Sequence, residues 1–343
     1  MTGYFVRRLL LIIPTFIGIT LAVFVVMHFV PGGPIERQIM AYKMAAASES
    51  GATGGIAGFG TEIPPEALEE LKRFYGFDKP VHIRYLNWLW NVVHLNLGTS
   101  YVYQDPVWEV IRTRFPISIF LGLTGFLLSY LVCVPLGVLK AIHHHSRFDF
   151  LSSFVVFLGY SVPGWALGTA LLVLFGGGSF WSVFPLGGFR PDNWEFLSFG
   201  DKVIGQLRHM FLPVLCYMVG SFATLTILTK NSLLENLGQD YVRTAFAKGL
   251  DERHVIFVHA LRNSLIPLAT GLGHVFSLVL AGSFLIERVF NIDGMGYLGY
   301  TSILQRDYPV ALGILVIGSL LMLVGNILSD MIYAAIDPRI RFR

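Results

Sequence analysis

Ser161 lies in the run Gly159-Tyr160-Ser161-Val162-Pro163, which approaches the Gly-x-Ser-x-Gly elbow that exposes a nucleophilic hydroxyl on a strained turn. Pro163 stands where the closing glycine belongs, so the elbow is incomplete. His143, His144 and His145 form the other group of reactive side chains. Adjacent residues on a turn point apart, whereas a zinc helix places two histidines at i and i+4 behind a His-Glu start. The chain has no His-Glu dipeptide, and no metal site is expected. A phosphate-cradling loop ends in Gly-Lys-Ser/Thr, because the lysine and the backbone donors hold the nucleotide. No Gly-Lys dipeptide occurs either. This chain is therefore expected to bind no cofactor, and any ATP and magnesium must sit on another subunit.

Ionisable residues inside apolar runs are costly and mark functional positions by default. Asp330 near the end of the last apolar run and His274 behind Gly271 and Gly273 are such residues. With Ser161 and Pro163 they are candidates for lining or gating a pathway. The plainer expectations are a pairing of Asp330 with a basic C-terminal residue, a hydrogen-bonded imidazole at His274, and a solvated Glu287. No ladder of carboxylates joins the two ends of the apolar runs, which argues against a proton-coupled carrier. Cys133 and Cys216 fall inside apolar runs without ligand-type spacing and are expected as buried free thiols.

The elements that must position these residues are set by composition. Of 343 residues, 54% are hydrophobic and 14% charged, against about 25% charged in soluble domains. The net charge of +3 is spread among loops, which gives no nucleic-acid footprint. A helix needs about 20 apolar residues to cross a bilayer core. Six runs meet that test: 9–30, 117–139, 151–175, 210–229, 265–286 and 310–332. The first, behind Arg7 and Arg8, is too long for a signal core and reads as a retained helix. Short connections on one side carry twelve Lys and Arg residues, those on the other five. By the positive-inside rule both termini face the cytoplasm.

The long outer connection, 31–116, contains an Ala-, Ser- and Gly-rich insert at 45–61, expected to be flexible. A helix should then open at Pro64-Pro65 with Glu66, Glu69 and Glu70 in its first turns and stop at Gly76. Residues 81–94, with Tyr85, Trp88 and Trp90, read either as a helix on the outer membrane surface or as part of a small subdomain packed on itself. Inside, the loop 231–264 stands out by its length. Residues 241–248 can be helical, Gly249 supplies a stop, and Asp251 with Glu252 starts a second helix reaching about Asn263. Gly and Pro interrupt several spans, at Pro135 and Gly137, Pro163 and Gly164, Pro213 and Gly220. Such breaks suit helices around a cavity that changes shape.

The ordered motifs resemble the permeases of bacterial dipeptide and oligopeptide ABC importers over almost the whole chain. The N-terminal signature is Arg7-Arg8-Leu9-Leu10, Ile13-Pro14-Thr15 and Pro31-Gly32-Gly33-Pro34, followed by Tyr75-Gly76-Phe77-Asp78-Lys79-Pro80. The inner loop gives Tyr241-Val242-Arg243-Thr244-Ala245-Phe246-Ala247-Lys248-Gly249-Leu250, then His259-Ala260-Leu261-Arg262-Asn263 and Ile266-Pro267. Gly282, Glu287, Val289, Phe290, Gly294, Gly296, Arg306-Asp307-Tyr308-Pro309 and Asp337-Pro338-Arg339-Ile340-Arg341 complete the match. Arg243 and Thr244 depart from the generic Glu-Ala-Ala form of the importer coupling segment in the way usual for the peptide subgroup. The Gly-Gly-Pro run, the outer insert and Leu228-Thr229-Lys230-Asn231-Ser232 are most similar to the YejB-type branch, which serves oligopeptide and microcin C importers.

The resemblance implies an all-α, polytopic membrane fold with six transmembrane helices in a bacterial inner membrane. Its parts would be 1–30 (terminal segment and first helix), 31–116 (extracytoplasmic loop) and 117–343 (the five-helix core with the coupling loop 231–264). It also implies a second homologous permease, cytoplasmic ABC ATPase subunits and a soluble peptide-binding protein as partners. On that resemblance ATPase coupling falls to Thr244, Ala245, Ala247, Lys248, Gly249, Leu250, Asp251, Glu252, Arg253, Val255, Phe257, His259, Arg262 and Asn263. The alternatives are a stand-alone secondary transporter or channel, and an intramembrane enzyme using Ser161 or a histidine.

Overall fold

The computed structural model of the chain describes residues 2–29, 39–40, 65–74, 78–177, 180–273 and 282–336. The insert at 45–61, His274, Pro31 to Pro34 and the motif at 337–341 lie outside the described residues. Within them the elements are helical. α1 (Thr2–Phe29), α2 (Pro65–Phe74) and α3 (Val81–Val93) come first, then α4 (Val107–Ile142) and the pair α5 (Arg147–Ser161) and α6 (Gly164–Phe175). α7 (Phe199–Leu237) leads into α8 (Asp240–Ala247), α9 (Glu252–His254), a π-helical turn (Val255–Ala260), α10 (Leu261–Ser264) and α11 (Ile266–Gly273). α12 (Phe284–Val289), α13 (Met295–Leu304) and α14 (Tyr308–Ile336) close the chain.

Among the described residues four stretches are long and apolar enough to cross a membrane: Val6–Met27 in α1, all of α4, all of α7, and Tyr308–Met331 in α14. There are five if α5 and α6 count as one broken span. The expected span 265–286 runs through 274–281, outside the described residues. The expected span 151–175 is not straight, because α5 and α6 meet at 96°. Val162, which precedes Pro163, is extended at φ −96° and ψ 119°, as the proline ring disfavours helical geometry in the residue before it. The bend is fixed by close packing on α7. A Cβ on Gly164 would lie 2.8 Å from the Cys216 carbonyl, and one on Gly168 would meet the Phe290 ring at 2.9 Å.

α4 and α7, at 36 and 39 residues, outrun the apolar windows that marked them. The window test reads hydropathy, and helix continues as long as backbone partners do. α7 starts at the Ser198 cap, whose Oγ accepts from the Asp201 amide at 3.3 Å. α5 starts in the same way, with Ser146 Oγ accepting from the Asp149 amide at 3.2 Å.

The chain forms two compact units, Met1–Ile12 with Arg114–Leu298 and Gly318–Arg343, and Ile13–Thr113 with Gly299–Ile317. In the first, Leu121, Met210, Leu212, Val214, Cys216, Ile286, Phe290 and Ile292 make one buried cluster. Cys133, Leu225 and Leu268 make a smaller one. Both cysteines are free and buried, as their surroundings in the sequence imply. Asp330 pairs with Arg8 and accepts from Tyr4 Oη at 3.0 Å. Its basic partner thus comes from the N-terminal helix, where the sequence suggested the C-terminus.

In the second unit, α3 packs Tyr85, Trp88 and Leu89 against Phe24 and Leu312. Tyr85 Oη shares a 3.0 Å hydrogen bond with Thr20 Oγ1 and donates to the Ile17 carbonyl at 3.2 Å. Leu86, Trp90 and Val93 are exposed. α2 spans Pro65–Phe74, within the stretch that its proline and glutamates forecast as helix.

Where α4 crosses α7, Gly137 has no room to spare. A Cβ there would lie 2.5 Å from Thr229 Cβ and 2.8 Å from the Thr226 carbonyl, whereas Gly220 has open space. Gly137→Val should overpack this crossing at a cost of about 2 kcal/mol, lowering the thermal unfolding midpoint of the detergent-solubilised protein. Gly220→Ala should leave that midpoint unchanged.

Candidate functional site

The segment that joins α7 to α11 folds back on α7. Polar groups tie its two ends together: Ser232 Oγ donates to the Ser264 carbonyl at 3.0 Å, and Ser264 Oγ lies 3.3 Å from the Ser232 carbonyl. Between those ties, Val242, Ala245, Val255 and Ala260 are buried against Val138 and Ala141 of α4 and Leu233 of α7. This is one apolar cluster contributed by three parts of the chain, and it seats α8 and the π-helical turn on the ends of the two long helices.

Local chemistry sets the boundaries as the sequence indicated. α8 stops where Gly249 takes φ +78°, a left-handed conformation in which a side chain is strained. The Gly249 amide donates to the Phe246 carbonyl at 2.9 Å. Asp251 then caps α9, its carboxylate accepting from the Arg253 amide at 3.2 Å. The expected single helix from Glu252 to Asn263 is interrupted by the π-helical turn. Such a turn holds one residue more per backbone ring than an α-helix, and here Val255, Ile256 and Ala260 of the turn are buried.

The candidate coupling residues separate into two groups. Ala245 and Val255 are buried anchors and His259 is half-buried. Thr244, Ala247, Lys248, Gly249, Leu250, Asp251, Glu252, Arg253, Phe257, Arg262 and Asn263 are exposed. Tyr241, Phe246 and Val258 add further exposed apolar surface that the candidate set lacked, and Phe257 is 52% exposed. The exposed face therefore combines aromatic and aliphatic side chains with the charges of Lys248, Asp251, Glu252, Arg253 and Arg262.

The candidate pathway residues are not brought together. Ser161 and Pro163 are exposed at the bend between α5 and α6, and Ser161 Oγ donates to the Phe157 carbonyl at 2.9 Å. Asp330 is engaged with Arg8. Among the described residues no group of three His, Cys, Asp or Glu side chains could hold a metal ion. The histidine run differs from its expected splay: the His144 and His145 rings lie 3.8 Å apart, and His145 sits at φ 61°.

The sequence profile of the family described as binding-protein-dependent transport system inner membrane component matches residues 133–342, which include the whole of this segment. The chain belongs to this family. It is similar over its full length to the peptidoglycan transport system permease protein YejB of Agrobacterium fabrum, at 40% identity over 99% of that protein. The inner membrane ABC transporter permease protein YejB of Escherichia coli O157:H7 is 39% identical over the full chain and 99% of that relative. The oligopeptide transport system permease protein AppB of Bacillus subtilis is 35% identical over the whole of both chains.

Two carboxylates of this permease carry motif positions whose chemistry was not evident from the sequence. Glu287, expected to be solvated, is 0% exposed. Its Oε2 accepts from the Tyr297 amide at 2.6 Å, and its Oε1 accepts from Tyr217 Oη at 3.2 Å and the Ser283 amide at 3.3 Å. A Cβ on Gly294 would touch that carboxylate at 2.7 Å. Gly282, at φ +60°, is crowded by both Glu287 and the Gly296 backbone. The glycines of the motif are thus the walls of a carboxylate cage. Asp307 is buried likewise, accepting from Ser100 Oγ at 2.5 Å and from the amides of Tyr101 and Val102 at 3.0 and 3.3 Å.

Replacing Glu287 by Gln puts an amide group where backbone donors converge, so one of them loses its acceptor in a buried site. The variant should be less stable by about 3 kcal/mol, read as a lower thermal unfolding midpoint in detergent. Glu287→Asp, which keeps the charge but shortens the reach, should recover only part of the loss.

Proposed function

We propose that this chain is the permease subunit of an ATP-driven peptide importer and that α8 to α10 form the surface on which a cytoplasmic ATPase subunit docks. The observation that carries the reading is the two-faced construction of that segment. One face is clamped to α4 and α7 by the buried cluster and the Ser232 and Ser264 ties. The other offers Phe246, Leu250, Phe257 and Val258 to a partner. A rigid element that is half embedded and half exposed can pass displacement from a soluble subunit to long helices, which is the differential contact that coupling requires.

On this reading both termini and the docking surface lie in the cytoplasm, in accord with the Lys and Arg bias of the short loops. The bundle comprises six spans, the fifth passing through 265–286. A second homologous permease completes the path, and a soluble binding protein delivers substrate on the opposite side. Peptides or peptide-like compounds are the cargo, the class shared by the names of the oligopeptide and peptidoglycan permeases to which the chain is similar. The chain holds no nucleotide itself; ATP and magnesium belong to the ATPase subunits.

An aromatic side chain that anchors a docked interface is worth about 2 kcal/mol or more when lost. Phe257→Asp should therefore weaken association of the ATPase subunit by at least about thirtyfold, measured by co-purification from mild detergent, with the second permease still present. ATP-driven peptide uptake by reconstituted complexes should fall to background, as it should for Gly249→Pro. Undiminished uptake in both variants would defeat the assignment, and so would peptide accumulation by the unaccompanied chain in liposomes.

A further inference from the structure

Beside the seat of the docking segment lies an ion cluster in which two ammonium groups share one carboxylate. Lys140 of α4 is 1% exposed. Its Nζ donates to the Asp149 carbonyl at 2.9 Å and to Ser152 Oγ and Ser153 Oγ at 2.8 Å, and lies 3.1 Å from Asp149 Oδ1. Lys230 of α7 approaches both carboxylate oxygens of Asp149, at 2.8 and 2.7 Å. The His144 ring and the His145 amide contact Asp149 Oδ2, each at 3.3 Å. α4, α5 and α7 are thereby joined at one point. Val138, Ala141 and Leu233, which border Lys140 and Lys230 in the chain, belong to the apolar seat of the docking segment.

The two lysines are not equivalent. An ammonium has three protons to give, and Lys140 finds three neutral oxygens on α5 at ordinary hydrogen-bond distance. It stays satisfied whatever the Asp149 carboxylate does. Among the described residues Lys230 is held by the two carboxylate oxygens, and it is 15% exposed, enough for water to replace them. Lys230 can be rewetted as its contact opens while Asp149 keeps Lys140 Nζ at 3.1 Å, whereas withdrawing Lys140 would strand a buried charge. α5 also leads directly to the bend at Val162 and Pro163.

We propose that the Lys230 to Asp149 pair is a positioning contact for transport, one that releases and re-forms as the docking segment moves and so conveys its displacement from α7 to α5 and the bend. Neither residue touches the cargo. The inference rests on the docking role proposed above for α8 to α10.

The test compares complexes reconstituted in liposomes with ATPase subunits, second permease and binding protein, measuring ATP hydrolysis and peptide uptake together. Lys230→Gln should keep ATP hydrolysis while lowering peptide moved per ATP by about tenfold, within the usual range of coupling effects. Lys140→Met should leave that ratio unchanged in whatever complex assembles. Asp149→Asn, which removes the charge from the other side of the pair and leaves the three neutral acceptors of Lys140 in place, should lower it alike. An unchanged ratio in Lys230→Gln overturns the inference, as does an equal fall in Lys140→Met. Should Lys230→Gln fail to assemble, Asp149→Asn decides: a lowered ratio supports the contact, while an unchanged ratio or a second failure to assemble assigns the pair to folding and overturns it. Failure of the docking role itself would show separately, as undiminished uptake in Phe257→Asp and Gly249→Pro.

Discussion

A carboxylate withdrawn from water must be satisfied where it stands, because an unmet charge in a low-dielectric interior costs more than a fold can supply. Asp149, Glu287 and Asp307 each meet this condition in a different way. Asp149 is matched by ammonium groups, Glu287 by two backbone amides and a phenol, and Asp307 by a serine and two backbone amides. Each solution pins a place where the chain changes direction. Glu287 holds Ser283 to Tyr297, Asp307 holds the turn at 100–102, and Asp149 holds the reversal between α4 and α5. Helices in this permease follow from apolar composition, and the connections follow from the needs of these carboxylates.

That division also explains what the sequence discloses. Apolar length finds α1, α4, α7 and α14, and cap chemistry finds α2 and places the ends of α8 to within a residue or two. Both signals are local: they depend on residues a few positions apart. Glu287 reads as a solvated end residue because its ligands, Tyr217 and Tyr297, are 70 and 10 positions away. Asp330 has the same character, since its partner Arg8 is at the other end of the chain. Asp149 is inconspicuous in the sequence for a different reason. It lies outside the apolar windows, next to basic residues that count only toward orientation until α4, α5 and α7 converge.

Two departures from the expected helices share a cause. Residues 151–175 contain enough apolar length for one crossing, and hydropathy is blind to the axis. The proline at 163 permits a break, and the absence of a side chain at Gly164 and Gly168 lets the second half lie against α7 and Phe290. Packing, not the proline alone, then sets an angle of 96°, for Pro116 and Pro135 sit inside α4 without ending it. The expected helix from Glu252 to Asn263 is interrupted by comparable logic. A regular α-helix would be dictated by its caps, yet the demand that Val255 and Ala260 both reach the apolar seat is met by a wider turn.

The placement of that seat bears on how a partner could act through it. Were the docking segment joined to the long helices only by chain continuity through Gly238, it would swing freely and transmit nothing. Were every contact as saturated as that of Lys140, it would be fixed. The structure has both kinds of contact around one point: close-packed apolar side chains and an ammonium with three neutral acceptors that hold, beside a pair whose Lys230 side chain, 15% exposed, water can reach. Motion along such an assembly follows the weaker contact, which directs displacement of α7 toward α5 and the bend beyond it.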